Sequence, residues 1–231
     1  MMRTIGLIGG MSWESSAEYY RLLNEGTRRR LGGHHCAPSL MLTVDFAEIE
    51  AMQRAGEWDE AGRRLAEAAA TLERAGADLI MLCTNTMHHV ADAIEAATRV
   101  PFVHIVDATA ERIAAAGLTT VALLGTRFTM EMEFYRRRML DHGVQVMVPD
   151  EPDRTLVHDV IYQELTQGRV EDSSRKDYQR IIGELAGRGA QGVVLGCTEI
   201  TLLIGPRDVP LPVFDSTRVH VERALDLAVT R

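Results

Sequence analysis

Lysine is nearly absent from this sequence, and its scarcity limits the chemistry that the chain can perform. One lysine, Lys176, is present among 231 residues, in the charged run Ser173-Ser174-Arg175-Lys176-Asp177. A pyridoxal enzyme forms a Schiff base with an internal lysine, whereas a lysine in such a run is expected to be solvated. The sequence therefore argues against a pyridoxal enzyme, and we expect no cofactor.

Aromatic residues, clustered basic residues and long apolar runs are also scarce. Aromatics make up 5% of the chain, and 25 basic against 33 acidic side chains give a net charge of −8. No apolar run approaches the roughly 20 residues of a membrane helix, and the N-terminus has no signal-peptide pattern. Nucleic acid binding demands clustered positive charge. We therefore expect a cytoplasmic protein that binds neither membranes nor nucleic acid.

Cysteine is rare as well, with Cys36, Cys83 and Cys197 the three in the chain. An odd number of thiols without a secretion signal argues against a disulfide framework and predicts free thiols. The run His34-His35-Cys36 follows two glycines and lacks a fourth ligand nearby, so it indicates a surface turn. We expect no metal site.

Short apolar runs alternate with helical patterns along most of the chain, which is typical of parallel strands joined by crossover helices. The strands that bear on function are predicted at residues 3–9, 77–83, 119–124 and 192–196. A last short strand is predicted at residues 213–215, before a C-terminal helix. The sequence therefore predicts an α/β protein with mainly parallel sheets.

An internal repeat pairs one thiol with another. Gly10 follows the first strand and precedes Cys83-Thr84 by nearly the same interval that separates Gly125 from Cys197-Thr198. Gly76-Ala77 and Gly189-Ala190 precede the two cysteines at offsets of seven and eight, so the alignment slips by one residue. Two similar lobes would place both cysteines at the carboxyl ends of parallel strands, where open α/β sheets bind ligands. We therefore expect two pseudo-symmetric three-layer α/β lobes with the active site between them.

The positions of Cys83 and Cys197 suggest proton transfer. Each ends a strand, stands beside a threonine and precedes a predicted helix N-terminus, where backbone N–H groups and the helix dipole stabilise a thiolate. One activated thiol would suggest a nucleophile with a histidine partner. Two symmetric thiols instead suggest acid and base acting from opposite sides of a substrate, as inversion of a stereocentre requires.

Three segments resemble the aspartate/glutamate racemase family of cofactor-independent racemases. They are Ile5-Gly6-Leu7-Ile8-Gly9-Gly10-Met11-Ser12, Cys83-Thr84-Asn85-Thr86-Met87-His88 and Gly196-Cys197-Thr198-Glu199-Ile200. The paired C-T-N-T and G-C-T-E motifs are specific, and the resemblance covers essentially the whole chain. It implies a two-lobed α/β homodimer that racemises an acidic amino acid, aspartate or glutamate, with Cys83 and Cys197 as its two catalytic bases.

The resemblance also implies that the C-terminal segment returns to the first lobe. Pro206, Pro210 and Pro212 make residues 206–212 a natural connector, because proline stiffens a linker and does not continue a central strand. We therefore expect a first lobe of residues 1–106, completed by residues 210–231, and a second lobe of residues 107–209.

Substrate-binding positions follow from the same resemblance. The expected donors to the substrate are Thr84, Asn85, Thr86 and Thr198, with Gly10, Met11 and Thr126 lining the site, Glu199 beside the second thiol, and Gln53 or Arg54 contributing a further polar contact. His88 is a candidate to poise the charge of Cys83. The family's second-lobe lysine is missing from residues 164–169, where Arg169 or Gln167 are the candidate replacements.

Two other readings stay open. Related two-lobed enzymes racemise hydantoins or isomerise maleate, and the scaffold alone does not choose among them. A non-catalytic ligand-binding or thiol redox-sensing protein is the third reading, which predicts a reversible disulfide between Cys83 and Cys197. Retention of both thiols favours proton transfer on both faces of a small-molecule amino acid substrate.

Overall fold

The computed structural model describes residues 2–229 and divides them into two compact units. The first unit contains the residues up to Ile105 and those from His220 onward, and the second unit runs over Val106–Val219. No helix among residues 2–229 is long and apolar enough to cross a membrane.

The first unit is built on a four-stranded parallel sheet. Its strands are β1 (Ile5–Gly9), β2 (Ser39–Thr43), β3 (Leu79–Leu82) and β4 (Phe102–Val103), in the order β2-β1-β3-β4. All pairs are parallel, and Ile8 of β1 lies opposite Leu82 of β3. Every residue of β1 and β3 is buried, which is why their sequences are continuous apolar runs instead of alternating ones.

Helices cover both faces of this sheet. They are α1 (Trp13–Leu31), α2 (Phe46–Ala55), α3 (Trp58–Arg74), α4 (Ala91–Ala97) and the end of the last helix, α10 (Ser216–Ala228). Odd-numbered strand residues such as Leu79 and Met81 pack with α1 and α10, and even-numbered ones such as Ile80 pack with α2, α3 and α4. This alternation gives the unit three layers, helix, sheet and helix.

The second unit repeats this topology. Its strands are β5 (Thr120–Leu124), β6 (Gln145–Met147), β7 (Val193–Leu195) and β8 (Val213–Asp215), all parallel, in the order β6-β5-β7-β8. The helices along this part of the chain are α5 (Ile105–Ala115), α6 (Arg127–Glu131), α7 (Glu133–Asp141), α8 (Asp153–Gln163), α9 (Asp172–Gly187) and the start of α10. The matching strand orders are those that the internal repeat predicts.

Strand register accounts for the slip of one residue between the repeats. Leu82 lies opposite Ile8, and Cys83 follows it directly. Leu195 lies opposite Leu124 in the equivalent pair, but Gly196 stands between that leucine and Cys197. The second thiol therefore begins one residue further beyond its strand than the first.

The chain changes units later than the expected boundary at residue 210. β8 hydrogen-bonds to β7 in the second sheet, and the return to the first unit comes at His220, inside α10. Residues 210–219 thus lie in the second unit. The connector at residues 206–212 leads into an edge strand of the same sheet, a position that proline tolerates because the N–H on the outer side needs no ladder partner.

Two helices begin where the sequence pattern did not place them. α2 was missed, although Asp45 caps it by accepting a hydrogen bond from the Ala47 N–H at 3.0 Å. The sequence pattern also indicates a helix from Thr129 to His142, but the helix begins earlier, because Thr126 is the N-cap of α6. The chain in this region forms two short helices, α6 and α7, separated at Met132.

Candidate active site

The first cysteine turn, residues 83–86, follows β3 at the carboxyl end of the first sheet. Cys83 is fully buried and packs in the cluster that includes Tyr19 of α1 and Val221 of α10. Its odd position in the strand pattern directs the side chain to that face. The thiol is therefore held in an apolar setting within the first unit.

Four consecutive backbone groups of this turn have hydrogen-bond partners. The Cys83 N–H donates to the Ile8 carbonyl at 2.9 Å, and the Thr84 N–H donates to the Leu82 carbonyl at 2.9 Å. The Ser15 hydroxyl donates to the Cys83 carbonyl at 3.0 Å, and the Thr84 carbonyl lies 2.8 Å from Nδ1 of His88. The backbone that carries the thiol is thus fixed on both sides.

Gly10 and Met11 lie at the end of β1, beside the strand that carries Cys83. Gly10 has a φ of 101°, and a Cβ there would stand 2.1 Å from the Val44 carbonyl oxygen. Its N–H donates to the Ser16 hydroxyl at 2.8 Å. Met11 is buried in the cluster that also contains Met87, so it forms apolar packing next to the turn.

Of the two polar residues expected from α2, the structure brings one to the first cysteine turn. Gln53 is buried, and its side-chain amide nitrogen lies 2.9 Å from the Met87 sulfur, one residue beyond the turn. Arg54 is exposed and pairs with Glu50 of its own helix. Gln53 is therefore the member of this pair that contacts the segment directly after the first cysteine turn.

The three expected donors Thr84, Asn85 and Thr86 lie together in the turn. Thr84 is half-buried, whereas Asn85 and Thr86 are buried. Asn85 is the N-cap of a 3-10 helix at Thr86–Val90, and its carbonyl accepts the His88 N–H at 3.1 Å. The turn therefore groups hydroxyl and amide side chains beside the first thiol.

The second cysteine turn, residues 197–199, follows β7 in the second unit. Cys197 is half-buried and is the N-cap of a 3-10 helix at Thr198–Leu202. Its thiol donates a hydrogen bond to Oε2 of Glu199 at 2.9 Å. Thr126 follows the neighbouring strand β5 and caps α6, and it corresponds to Ser12, the N-cap of α1 in the first unit.

The expectation that both thiols are shifted toward thiolate by a helix N-terminus is wrong for the structure as it stands. Burial raises the pKa of the Cys83 thiol. Burial also raises the pKa of Cys197, the negative charge and hydrogen bond of Glu199 raise it further, and only backbone N–H groups of Thr198 and Glu199 oppose the rise. Both turns lead into five-residue 3-10 helices, whose dipoles are small. Both cysteines therefore rest as neutral thiols.

His88 does not supply charge to Cys83, contrary to the possibility raised by the sequence. Its Nδ1 lies 2.8 Å from the Thr84 carbonyl, and its Nε2 accepts the Ile105 N–H at 3.2 Å. A nitrogen that accepts from a backbone N–H carries no proton, so the ring is the neutral Nδ1–H tautomer.

Other side chains around the two cysteine turns carry no sequence signal that would have singled them out. Ser15 looks like an ordinary first-turn serine of α1. In the second unit, the pKa of Tyr178 is raised by burial and then by the charges of Cys197 and Glu164, so both acidic groups lie within electrostatic reach of its ring. The Ser174 hydroxyl donates to Glu164 at 2.6 Å.

Both candidate replacements for the missing lysine are exposed. Arg169 is exposed and donates to the Gln163 carbonyl, and Gln167 is exposed on a short 3-10 helix. Cys36, in the expected surface turn, is exposed as well. Within residues 2–229, no three His, Cys, Asp or Glu side chains form a group suited to a metal ion.

Comparison with known proteins gives consistent matches over nearly the whole chain. The family model described as Asp/Glu/Hydantoin racemase matches residues 8–224. An inferred Asp/Glu racemase from Yersinia pestis has a solved structure with 49% identity and a TM-score of 0.95, covering 99% of this chain and 100% of its own.

Two further relatives are similar over most of their length. An aspartate racemase homologue from Pyrococcus horikoshii is 35% identical, with a TM-score of 0.89, and the match covers 98% of this chain and 99% of that one. A broad specificity amino-acid racemase from Bacillus subtilis is 23% identical over 219 residues, which is 92% of each chain. The α/β fold with two four-stranded parallel sheets agrees with these matches.

Proposed function

Because the chain belongs to the Asp/Glu/Hydantoin racemase family and is an isomerase of the amino acid racemase type, we propose that Cys83 and Cys197 are its two catalytic bases. The observation that carries this proposal is the repeated placement of one free thiol after the third strand of each equivalent sheet. Each thiol serves one face of the substrate α-carbon. No cofactor takes part.

The reaction consists of two balanced proton transfers. One sulfur, as thiolate, takes the α-proton and becomes a thiol, which leaves the electron pair on the substrate as a planar carbanion. The opposite thiol then gives its proton to the other face of that carbon and becomes a thiolate. The two cysteines exchange roles when the reaction runs in the reverse direction.

Glu199 explains how a neutral resting thiol can become the base. The Cys197 proton already points to Oε2 of Glu199 at 2.9 Å, so transfer along this hydrogen bond yields a thiolate without bulk water. The ammonium group of an arriving amino acid would stabilise the resulting negative charge. Cys83, whose pKa is raised by burial alone, starts as the proton donor.

Most of the rate enhancement must come from stabilising the carbanion, since an amino acid α-proton is very weakly acidic. The hydroxyl and amide groups of Thr84, Asn85, Thr86 and Thr198 are proposed to hold the α-carboxylate. Gly10, Met11, Thr126 and Gln53 complete the proposed surroundings. Arg54 is not part of this proposal, because it is exposed and paired with Glu50.

Aspartate and glutamate are the proposed substrates, supported by the family and by the aspartate racemase homologue that is 35% identical. The carboxylates of Glu164 and Glu199 favour a second class of substrate, namely amino acids with neutral or cationic side chains. These two carboxylates lie in the second unit around Tyr178 and Cys197, where an anionic side chain would be repelled. The similar Bacillus subtilis protein has broad specificity.

The decisive experiment is incubation of single enantiomers in deuterated water without added cofactor, under reducing conditions, followed by chiral separation and mass measurement. Aspartate, glutamate, homoserine, methionine and lysine are tested side by side. We expect racemisation with one α-deuterium per product molecule. If none of these amino acids exchanges its α-proton, the proposed function fails, whereas exchange limited to the neutral and basic ones would overturn only the acidic assignment.

The two thiols are tested by Cys83→Ala and Cys197→Ala. Each variant is expected to lose racemisation, because one face of the α-carbon then has no proton donor or acceptor. Cys36→Ser, which changes the exposed third thiol, is the matched control and should leave the rate unchanged. Full activity in either alanine variant would contradict the two-base mechanism.

The other family reactions and the redox reading make distinct predictions. A hydantoin racemase would exchange the ring α-proton of a substituted hydantoin but not that of a free amino acid, and a maleate isomerase would convert maleate to fumarate. A thiol redox sensor would form a reversible disulfide between Cys83 and Cys197 on mild oxidation. Free thiols agree with the reducing cytoplasm, which is the proposed location.

A homodimer is proposed as well, supported by an exposed apolar stripe on α1. Trp13, Tyr20 and Leu31 are 69%, 54% and 41% exposed, and their spacing places them on one side of the helix. In sedimentation velocity, the double variant Trp13→Glu/Tyr20→Glu should be monomeric while the natural chain is dimeric. Leu140→Glu, which changes an exposed leucine of α7, should leave the dimer intact. A monomeric natural chain would refute this assignment.

A further inference from the structure

We infer that His88 is a positioning residue for the first thiol, acting through the backbone of the first cysteine turn. The inference rests on the proposed two-thiol mechanism. Two side chains hydrogen-bond to the backbone of this turn. Ser15 bonds to the Cys83 carbonyl, and His88 bonds to the Thr84 carbonyl.

The protonation state of His88 follows from its partners. The Ile105 N–H can only donate, so Nε2 accepts at 3.2 Å and carries no proton. The proton is on Nδ1, which donates to the Thr84 carbonyl at 2.8 Å. A protonated ring would place two N–H groups against each other at Ile105, so His88 is neutral and each nitrogen has one assigned role.

Packing fixes the ring itself. His88 is 2% exposed, and its centroid lies 4.5 Å from that of His104, 5.5 Å from Phe102 and 5.7 Å from His220. Ile105 is the first residue of α5, so its N–H has no partner within that helix and needs an outside acceptor. His88 therefore joins the turn that bears Cys83 to the start of α5.

A small displacement of this turn would move the sulfur relative to the α-carbon. Proton transfer requires the donor and acceptor atoms at hydrogen-bond distance, and a misplacement of about 1 Å can cost roughly a hundredfold in rate. Loss of the bond to the Thr84 carbonyl should thus affect proton transfer at Cys83 and leave that at Cys197 unchanged.

Two variants of His88 separate the roles of its nitrogens. The amide nitrogen of Asn in His88→Asn stands where Nδ1 stands and can still donate to the Thr84 carbonyl. The longer side chain of His88→Gln reaches toward Ile105 instead and loses the Thr84 bond. We expect kcat to fall at least about tenfold in His88→Gln with KM within about twofold, and to fall much less in His88→Asn.

The decisive readout is the fate of the carbanion in deuterated water. With Cys83 misplaced, the carbanion formed by Cys197 lasts long enough for the abstracted proton on that thiol to exchange with the deuterated solvent. Cys197 then returns a deuteron to the same face, so the starting enantiomer acquires deuterium without inversion. His88→Gln should therefore raise the ratio of exchange to racemisation for one enantiomer only. A variant that is merely less stable lowers both rates and leaves this ratio unchanged. His220→Asn, which alters the same histidine cluster away from the turn, is the matched control.

The outcomes distinguish this inference from the proposed function. If the natural chain exchanges no α-proton, the proposed function fails before His88 is tested. If the natural chain racemises and His88→Gln keeps its exchange ratio for both enantiomers, the positioning role is refuted. Should His88→Gln fold poorly, His88→Ser takes its place, because serine reaches neither backbone group, and the same one-sided rise is required.

Discussion

Cys197 and Glu199 are joined by a hydrogen bond from the thiol to the carboxylate. The carboxylate both accepts the thiol hydrogen bond and repels the thiolate, so it holds the proton on sulfur. Burial alone raises the pKa of the Cys83 thiol and keeps it neutral. The two thiols are therefore equivalent in the fold but different in their surroundings.

Removal of the Glu199 charge should have opposite effects on thiol reactivity and on catalysis. In Glu199→Gln the pKa of Cys197 falls, because a negative charge that raised it is gone. Cys197 should then be alkylated faster by iodoacetamide at pH 7 to 8 while racemisation falls at least about tenfold.

The alkylation rates are compared in a Cys36→Ser background, and Cys197→Ala identifies the reacting thiol. Equal or slower alkylation in Glu199→Gln would contradict the assigned electrostatic role. Unchanged racemisation would remove Glu199 from the proton path.

At the scale of elements, the site depends on how closely the chain passes itself at the strand ends. Gly10 directly follows β1 and has a left-handed φ, and the Val44 carbonyl, just after β2, occupies the space that a side chain would need. The Ser16 hydroxyl oxygen accepts a hydrogen bond from the Gly10 N–H. The pairing of Ile8 with Leu82 places this end of β1 beside the first cysteine turn.

Gly10→Ala should lower the free energy of unfolding by more than about 2 kcal/mol, since the left-handed backbone and the contact with Val44 both oppose a Cβ. Gly56→Ala is the matched control, because Gly56 is also left-handed, with φ 72°, but has open space around it. The control should lose about 1 kcal/mol. Equal losses in urea titrations would show that the close approach contributes nothing.

At the scale of the whole molecule, the buried His220 connects the last helix, α10, to the first unit through hydrogen bonds. Nε2 of His220 donates to the Val103 carbonyl at 2.6 Å, since a carbonyl can only accept, and Nδ1 accepts from the Tyr19 hydroxyl at 2.8 Å. His220 thus joins α10 to β4 and α1. Burial lowers its pKa from its ordinary 6.5 to about 4.

The lowered pKa predicts acid sensitivity. Between pH 6.5 and 4 the unfolded chain binds a proton at His220 that the folded chain does not, so stability present above pH 6.5 is lost as the pH falls. The loss reaches about 3 kcal/mol by pH 4. Urea titrations at pH 7.5 and pH 4.5 should show a smaller pH dependence in His220→Asn, and an undiminished one would refute this account.

The fold class was predictable because buried parallel strands and crossover helices leave separate periodicities in the sequence. The repeat of glycine and cysteine likewise indicated two equivalent sheets, which the structure contains. α2 escaped prediction because its cap, Asp45, lies inside residues 39–46, which the apolar pattern assigns to a strand. The change of units inside α10 leaves no break in the sequence.

The sequence by itself determined the α/β class, the family and the two thiols at strand ends, because these depend on local patterns of apolar residues, glycine and cysteine. Only the tertiary structure decided that both thiols rest protonated, that Gln53 and not Arg54 is buried against Met87, and that His88 bonds to the backbone. These outcomes depend on desolvation and on contacts between residues far apart in the chain, and neither is encoded in the spacing of residues along it.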